Sequence, residues 1–220
     1  MLPLAERLRP RTLNEYIGQK HLVGEGAILR QMIGNGNLSS FILWGPPGVG
    51  KTTLARIIAH ELERPFYTLS AVTSGVKEVR EVIDKAKRYA AMNSGLFGSR
   101  ESGIGNRESG FERAILFIDE IHRFSKSQQD SLLGAVEDGT ITLIGATTEN
   151  PSFEVITPLL SRCQVYVLKS LDKEDLLELL NRALNEDEYI RNLNIEVKQT
   201  ESILRYSGGD ARKLLNIIEL

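Results

Sequence analysis

Apolar residues fall into two patterns along the chain. Short unbroken runs such as Phe41-Ile42-Leu43-Trp44 and Ala114-Ile115-Leu116-Phe117-Ile118 predict buried strands, while apolar residues spaced three and four apart predict helices. The runs predict strands at 41–44, 66–69, 114–118, 140–146 and 164–168. Ahead of the first strand, from Glu25 to Ile33, the apolar residues Ala27, Ile28, Met32 and Ile33 recur at helical spacing until Gly34-Asn35-Gly36 stops the run. A second helix is predicted from Lys51 to about residue 62. Val76, Val79, Val82, Ile83, Ala86 and Tyr89 mark one face of a third. A fourth covers 125–137, with Leu132, Leu133 and Val136 inward. Strands separated by helices predict an α/β fold with a mainly parallel five-stranded sheet covered on both faces. Beyond residue 170 the strands cease: Asp172 caps a helix, and further helices are predicted at 200–207 and 210–220.

The expected organisation is an N-terminal arm at 1–20, an α/β domain at 21–170 and a small helical lid at 171–220. Within the α/β domain, residues 93–112 are rich in Gly, Ser, Arg and Glu and poor in core formers. They contain a near-exact tandem duplication, Gly98-Ser99-Arg100-Glu101-Ser102-Gly103-Ile104 followed by Gly105-Asn106-Arg107-Glu108-Ser109-Gly110-Phe111. A single duplication is too short for a solenoid, so a flexible inserted loop is expected.

With 220 residues, 41% hydrophobic and 25% charged, the composition is that of an ordinary globular protein and excludes disordered or fibrous classes. The apolar runs are far shorter than the roughly 20 residues of a membrane helix. Glu6, Arg7 and Arg9 interrupt any signal-peptide core. The one cysteine, Cys163, forms no internal disulfide and reads as a small buried hydrophobe, so the reducing cytoplasm is the expected compartment. A net charge of −2 means that any nucleic-acid contact depends on a local patch or on assembly. Lys77, Lys85, Lys87 and Arg88 cluster on one predicted helix, either as a solvated face or as a DNA or subunit contact.

Gly45-Pro46-Pro47-Gly48-Val49-Gly50-Lys51-Thr52 follows a predicted strand and opens a predicted helix, the context of a phosphate-binding loop. Its glycines let backbone N–H groups turn toward phosphates, and the helix N-terminus adds the positive end of its dipole. Lys51 is expected to reach the β- and γ-phosphates and Thr52 to ligate Mg²⁺. Ile115-Leu116-Phe117-Ile118 ends in Asp119-Glu120, carboxylates at the strand end where open α/β folds hold ligands. Asp119 is expected to hold the metal and Glu120 to deprotonate the attacking water. His122 completes an Asp-Glu-Ile-His string that admits a helicase reading, although a histidine at the surface or supporting its neighbours is favoured. At the end of the fourth strand Thr148, after Thr147, is expected to sense the γ-phosphate, against plain strand propensity. Arg162 is either a solvated helix-end charge or a guanidinium that neutralises transferring phosphate. Arg212 in the first turn of the last helix opposes the helix dipole, which argues for a separate purpose.

Taken together, these strings resemble the AAA+ ATPases, in particular the clamp-loader-like branch and the replication-associated recombination protein A family, which includes the Werner-helicase-interacting proteins. The most specific strings are Ser70-Ala71-Val72-Thr73-Ser74-Gly75-Val76-Lys77-Glu78 and Thr147-Thr148-Glu149-Asn150-Pro151-Ser152-Phe153-Glu154. The resemblance implies that Gly45 through Thr53, with Lys51 and Thr52, form Walker A, that Asp119 and Glu120 form Walker B, and that Thr148 is sensor 1. It implies Arg162 as a finger lent to a neighbouring subunit and Arg212 as sensor 2. Leu8, Arg9, Pro10, Tyr16 and Ile17 would cover the adenine. The implied cofactors are ATP and Mg²⁺. The implied setting is a homo-oligomer, a tetramer in the family through a further helical region, acting on DNA at stalled or gapped forks or duplex ends. Single-strand-binding protein and recombination factors are the implied partners, with no membrane and a cytoplasmic, nucleoid-associated location. The chain looks like an N-terminal fragment of such a protein. Two other readings share the ATPase residues: an ATP-switched recruitment module, and a clamp-loader or branch-migration subunit.

Overall fold

The computed structural model describes residues 2–71, 74–96, 113–193 and 195–220. The duplicated segment 98–111 therefore lies outside the described residues, as do Val72 and Thr73 of the Ser70–Glu78 string. In chain order the elements are α1 (Leu4–Arg7), α2 (Lys20–Val23), α3 (Ile28–Gly34), β1 (Phe41–Trp44), α4 (Lys51–Glu61), β2 (Phe66–Ser70) and α5 (Val76–Leu96). They continue with β3 (Ala114–Asp119), a 3-10 turn (Ile121–Arg123), α6 (Lys126–Glu137), β4 (Ile141–Thr147), α7 (Pro151–Glu154) and α8 (Thr157–Leu160). The last are β5 (Gln164–Val167), α9 (Lys173–Glu186), α10 (Glu188–Asn192), α11 (Glu201–Ser207) and α12 (Ala211–Glu219).

All five expected strands form, in one sheet of order β2-β3-β4-β1-β5. β1 runs parallel to β4, β4 to β3 and β3 to β2. Every residue of β4 is buried, so both of its faces are covered, and this explains why its sequence reads as a continuous apolar run rather than an alternation. The register places Trp44 opposite Thr147 and Ile118 opposite Gly145, so β1, β3 and β4 end at one edge of the sheet.

The chain divides into two compact units. One comprises residues 37–44 and 62–166 and contains the sheet up to Tyr166. Its core joins Ile42, Leu69, Leu116, Ile118 and Leu143 of the strands to Val79, Val82, Ile83 and Ala86 of α5 and Leu132 and Ala135 of α6. α6 starts where Ser125 and Gln128 cap it reciprocally. The other unit comprises residues 1–36, 45–61 and 167–220. There Leu4 and Leu8 of the arm share a core with Leu176, Leu179 and Leu180 of α9, Leu204 of α11 and Leu214 and Leu215 of α12.

Several boundaries differ from expectation. Within the expected arm at 1–20, a one-turn helix, α1, forms over Leu4–Arg7 and buries Leu4 completely. α3 begins at Ile28 rather than at Glu25, because Ala27 before it is extended. α5 continues to Leu96, four residues into the segment expected to be loop from residue 93.

Candidate functional site: a phosphate loop and an acid–threonine edge

The chain leaves β1 at Trp44, enters the Gly45–Gly50 loop and continues into α4 at Lys51. Two of the loop glycines are in the left-handed region, Gly48 at φ 71° and Gly50 at φ 94°. Their lack of a side chain is also steric. A Cβ on Gly48 would lie 1.8 Å from Asp210 Oδ1, and one on Gly50 would lie 2.5 Å from the Tyr16 hydroxyl. Tyr16 donates that hydroxyl to the Val49 carbonyl at 3.1 Å, and burial pushes its ionisation upward, so it stays a donor. Asp210 caps α12 by accepting from the Lys213 N–H at 3.0 Å, and the Ala211 N–H donates to the Gly48 carbonyl at 3.1 Å. The loop is thus framed by the arm on one side and the start of α12 on the other.

Lys51 is 7% exposed, and its ammonium donates to the carbonyls of Gly45 at 2.7 Å and Pro46 at 2.8 Å. It is therefore held within the loop. Thr52 is half-buried in the first turn of α4. Arg9 donates to Thr53 Oγ1 at 2.9 Å and grips Glu6 through Nε at 3.0 Å. Arg9, Arg56 and Arg212 all act on Glu6, and hydrogen bonding from Arg9 is the main cause holding its carboxyl below the ordinary range. Of the other arm residues, Leu8 is buried in the core of this unit, Ile17 packs against that core, and Pro10 is half-buried. Arg212 is exposed in the first turn of α12.

In the sheet-bearing unit, Asp119 ends β3 opposite Ser70 of β2. Glu120 follows in a left-handed conformation, φ 52° and ψ 49°, which is uncommon for a residue with a side chain. That turn directs its carboxylate toward the end of β4. Thr148 donates its hydroxyl to Glu120 Oε2 at 3.3 Å, and His122 Nδ1 lies 3.2 Å from the same oxygen. No local pattern couples Glu120 to His122, since only the left-handed turn folds the ring back. Arg162, after α8, donates to the Pro158 carbonyl at 2.6 Å and to Ser161 Oγ at 3.1 Å, and forms an ion pair with Glu137 of α6. Sequence reasoning misses Glu137, because an acidic residue at a helix end carries no local signal of its partner. Burial pushes the Cys163 thiol up to about 12.

Comparison with known proteins bears on these features. Residues 41–171 match the profile described as "ATPase family associated with various cellular activities (AAA)". Replication-associated recombination protein A of Haemophilus influenzae is 46% identical over 99% of this chain and 46% of its own length. The Escherichia coli K12 protein of that name is 47% identical, over 99% of this chain and 45% of its own. The chain spans about half the length of these curated relatives. The ATPase WRNIP1 of Dictyostelium discoideum is 44% identical over 99% of this chain and 23% of its own length. Among solved structures, the Thermotoga maritima RuvB Holliday junction branch migration motor superposes with a TM-score of 0.67 at 29% identity, covering 96% of this chain and 64% of that one. With the profile spanning more than half of its residues, from the start of β1 past the end of β5, this chain belongs to the AAA family of ATPases.

Proposed function

We propose that the chain is the nucleotide-hydrolysing part of an AAA+ protein that acts on DNA at stalled or gapped replication forks. The observation that carries this reading is that β1, β3 and β4 end at one edge of the sheet, each followed in the chain by residues of a nucleotide-hydrolysis motif. β1 delivers the chain into the phosphate loop, β3 ends in Asp119-Glu120, and β4 ends in Thr147-Thr148, with Trp44 and Thr147 in register. The similarity to replication-associated recombination protein A supports the DNA setting.

In this reading the loop N–H groups and Lys51 bind the β- and γ-phosphates of ATP, Lys51 exchanging its carbonyl partners for phosphate oxygens. The hydroxyl of Thr52 and the carboxylate of Asp119 are hard oxygen donors of the kind that suits Mg²⁺, and would hold it with the phosphates. Bound there, Mg²⁺ would neutralise charge on the β- and γ-oxygens. Glu120 accepts a proton from water as that oxygen attacks the γ-phosphorus; the bond to the β–γ bridging oxygen breaks, and ADP and phosphate leave. Thr148, which already donates to Glu120, orients the water. Arg162 serves as the finger for a neighbouring subunit in a homo-oligomer, and Arg212 contacts phosphate in its own. Leu8, Arg9, Pro10, Tyr16 and Ile17 flank the adenine. Single-strand-binding protein and recombination factors are the proposed partners, in the cytoplasm at the nucleoid.

The test is ATP turnover by the full chain, with and without DNA carrying single-stranded gaps or duplex ends. Several-fold stimulation is expected, together with a Glu120→Gln variant that binds ATP and does not hydrolyse it. Wild-type turnover by Glu120→Gln would overturn the assignment. A second reading, a branch-migration-type motor, draws on the likeness to the Thermotoga maritima motor. It would be favoured if four-way junctions stimulated turnover while gapped DNA did not.

A further inference from the structure

His122 is the polar residue nearest the proposed base that the reading above leaves without a task. It sits in the 3-10 turn Ile121–Arg123, immediately after Glu120 turns left-handed. Ile121 anchors that turn: it is fully buried, and its side chain packs so closely on Gly145 of β4 that a Cβ there would lie 3.1 Å from it. The His122 ring is 13% exposed, with Nδ1 3.2 Å from Glu120 Oε2 and 3.0 Å from Thr147 Oγ1.

The proton on this nitrogen follows from the partners. A carboxylate oxygen only accepts, so the 3.2 Å ion-pair contact with Glu120 is attractive only with a hydrogen on Nδ1. Thr147 Oγ1 accepts from the Glu149 N–H at 3.0 Å and donates to the Glu149 carbonyl at 3.0 Å. Its one hydrogen is thereby used, and toward His122 it too must accept. Both contacts therefore assign the hydrogen to Nδ1, shared between a carboxylate and a hydroxyl that is itself fully buried. The outcome is a chain of contacts from the rigid end of β4, through Thr147 and His122, to the carboxylate of Glu120.

We propose that His122 is the positioning residue of Glu120: its Nδ1–H, braced on Thr147, holds the carboxylate in the orientation from which it takes the proton of water. The proposal rests on the reading of Glu120 as the general base. Thr148 donates a hydrogen bond of 3.3 Å to the same oxygen, so the carboxylate is approached from Thr148 directly and from Thr147 through His122. Displacing a reacting group by about 1 Å can cost on the order of a hundredfold in rate without any change in substrate binding. His122 would thus act on turnover and leave nucleotide affinity alone.

The experiment is steady-state ATP turnover and nucleotide affinity of the full chain carrying His122→Ala, His122→Asn or His122→Gln, beside Glu120→Gln. Asparagine can place an N–H near the position of Nδ1, whereas glutamine reaches toward that of Nε2. His122→Ala is expected to lower kcat about ten- to a hundredfold with KM and affinity within about twofold. His122→Asn should recover most of that loss and His122→Gln little. If Glu120→Gln is inactive but His122→Ala turns over normally, or Asn rescues no better than Gln, the positioning role is wrong while the base assignment stands. If Glu120→Gln turns over like the wild type, the base assignment itself falls. A check independent of any variant's folding is the ¹⁵N spectrum of the wild-type imidazole: a hydrogen on Nδ1 is expected, and a ring protonated at Nε2 alone would overturn the proposal.

Discussion

The N–H of Ala211 donates to the carbonyl of Gly48 at 3.1 Å, so the last helix begins directly on the phosphate loop. Asp210, one residue earlier, occupies the space that any side chain on Gly48 would need. Gly48→Ala therefore combines an unfavourable positive φ with a clash, and is expected to cost about 1–3 kcal/mol in stability. It should weaken ATP binding by at least about tenfold, since about 1.4 kcal/mol of distortion borne by the loop already amounts to that. Urea unfolding and titration with a fluorescent ATP analogue measure the two. Binding at wild-type affinity would mean that the fit of Asp210 against the loop is irrelevant to the nucleotide.

Arg7 grips Asp187 with two hydrogen bonds, 2.7 Å from Nε and 3.0 Å from Nη2, and reaches Glu219 at 2.9 Å. Asp187 is 6% exposed and also caps α10, so Arg7→Met would strand a buried carboxylate at a cost of about 3 kcal/mol or more. Hydrogen bonding from Arg7 holds the Asp187 carboxyl below its ordinary range. A carboxyl depressed in the folded state contributes stability above its unfolded pKa of about 3.9, and that contribution is lost as pH falls through the folded value. Wild-type stability should therefore fall more steeply than that of Arg7→Met as pH drops below about 4. Parallel acid profiles for the two proteins would refute the pairing as the source.

Arg162 and Glu137 are paired at the surface, 38% and 49% exposed, so the ion pair contributes no more than about 1 kcal/mol. Glu137→Gln should accordingly leave the melting temperature within about 4 °C. If Arg162 is a finger used in trans, Arg162→Ala should abolish turnover in the assembled full chain. Mixing it with Glu120→Gln should restore part of that turnover, because the Glu120→Gln copy lends its arginine to an intact site. Absence of rescue at every mixing ratio would remove the trans role.

Burial pushes the Cys163 thiol up to about 12. In the native protein it should react with iodoacetamide at pH 8 about a hundredfold more slowly than in urea. The folded state retains this proton where the unfolded chain has released it, so stability falls as pH rises above the unfolded value of about 8.5. Equal alkylation rates in native and unfolded protein would contradict the burial.

The strands were legible because a buried parallel strand is a short apolar run, and β1 occupies the residues its run marks, Phe41–Trp44. The strand order was not, since it rests on pairings such as Phe41 with Ile144 that no local pattern encodes. α1, α2, α7 and α8 have four residues each, one turn, too short to show a helical period. The phosphate loop and the Asp119-Glu120 pair stood out because their chemistry depends on contiguous residues. The partnership of Glu120 with His122 did not, because it depends on a left-handed backbone that the identity of a glutamate gives no cause to expect.

The arm has a further implication for how the protein is made. Leu4 is fully buried in a core completed by Leu214 and Leu215, and its N–H is held by the carboxylate of Glu219, 215 positions away. Synthesis proceeds from the N-terminus, so a ribosome that has reached residue 166 has made all of the sheet-bearing unit and none of residues 167–220. Until α9 and α12 emerge, Leu4 and Leu8 lack those core partners. These two leucines thus wait uncovered while the sheet-bearing unit is made, and a nascent chain stalled before α9 would present them to chaperones and proteases.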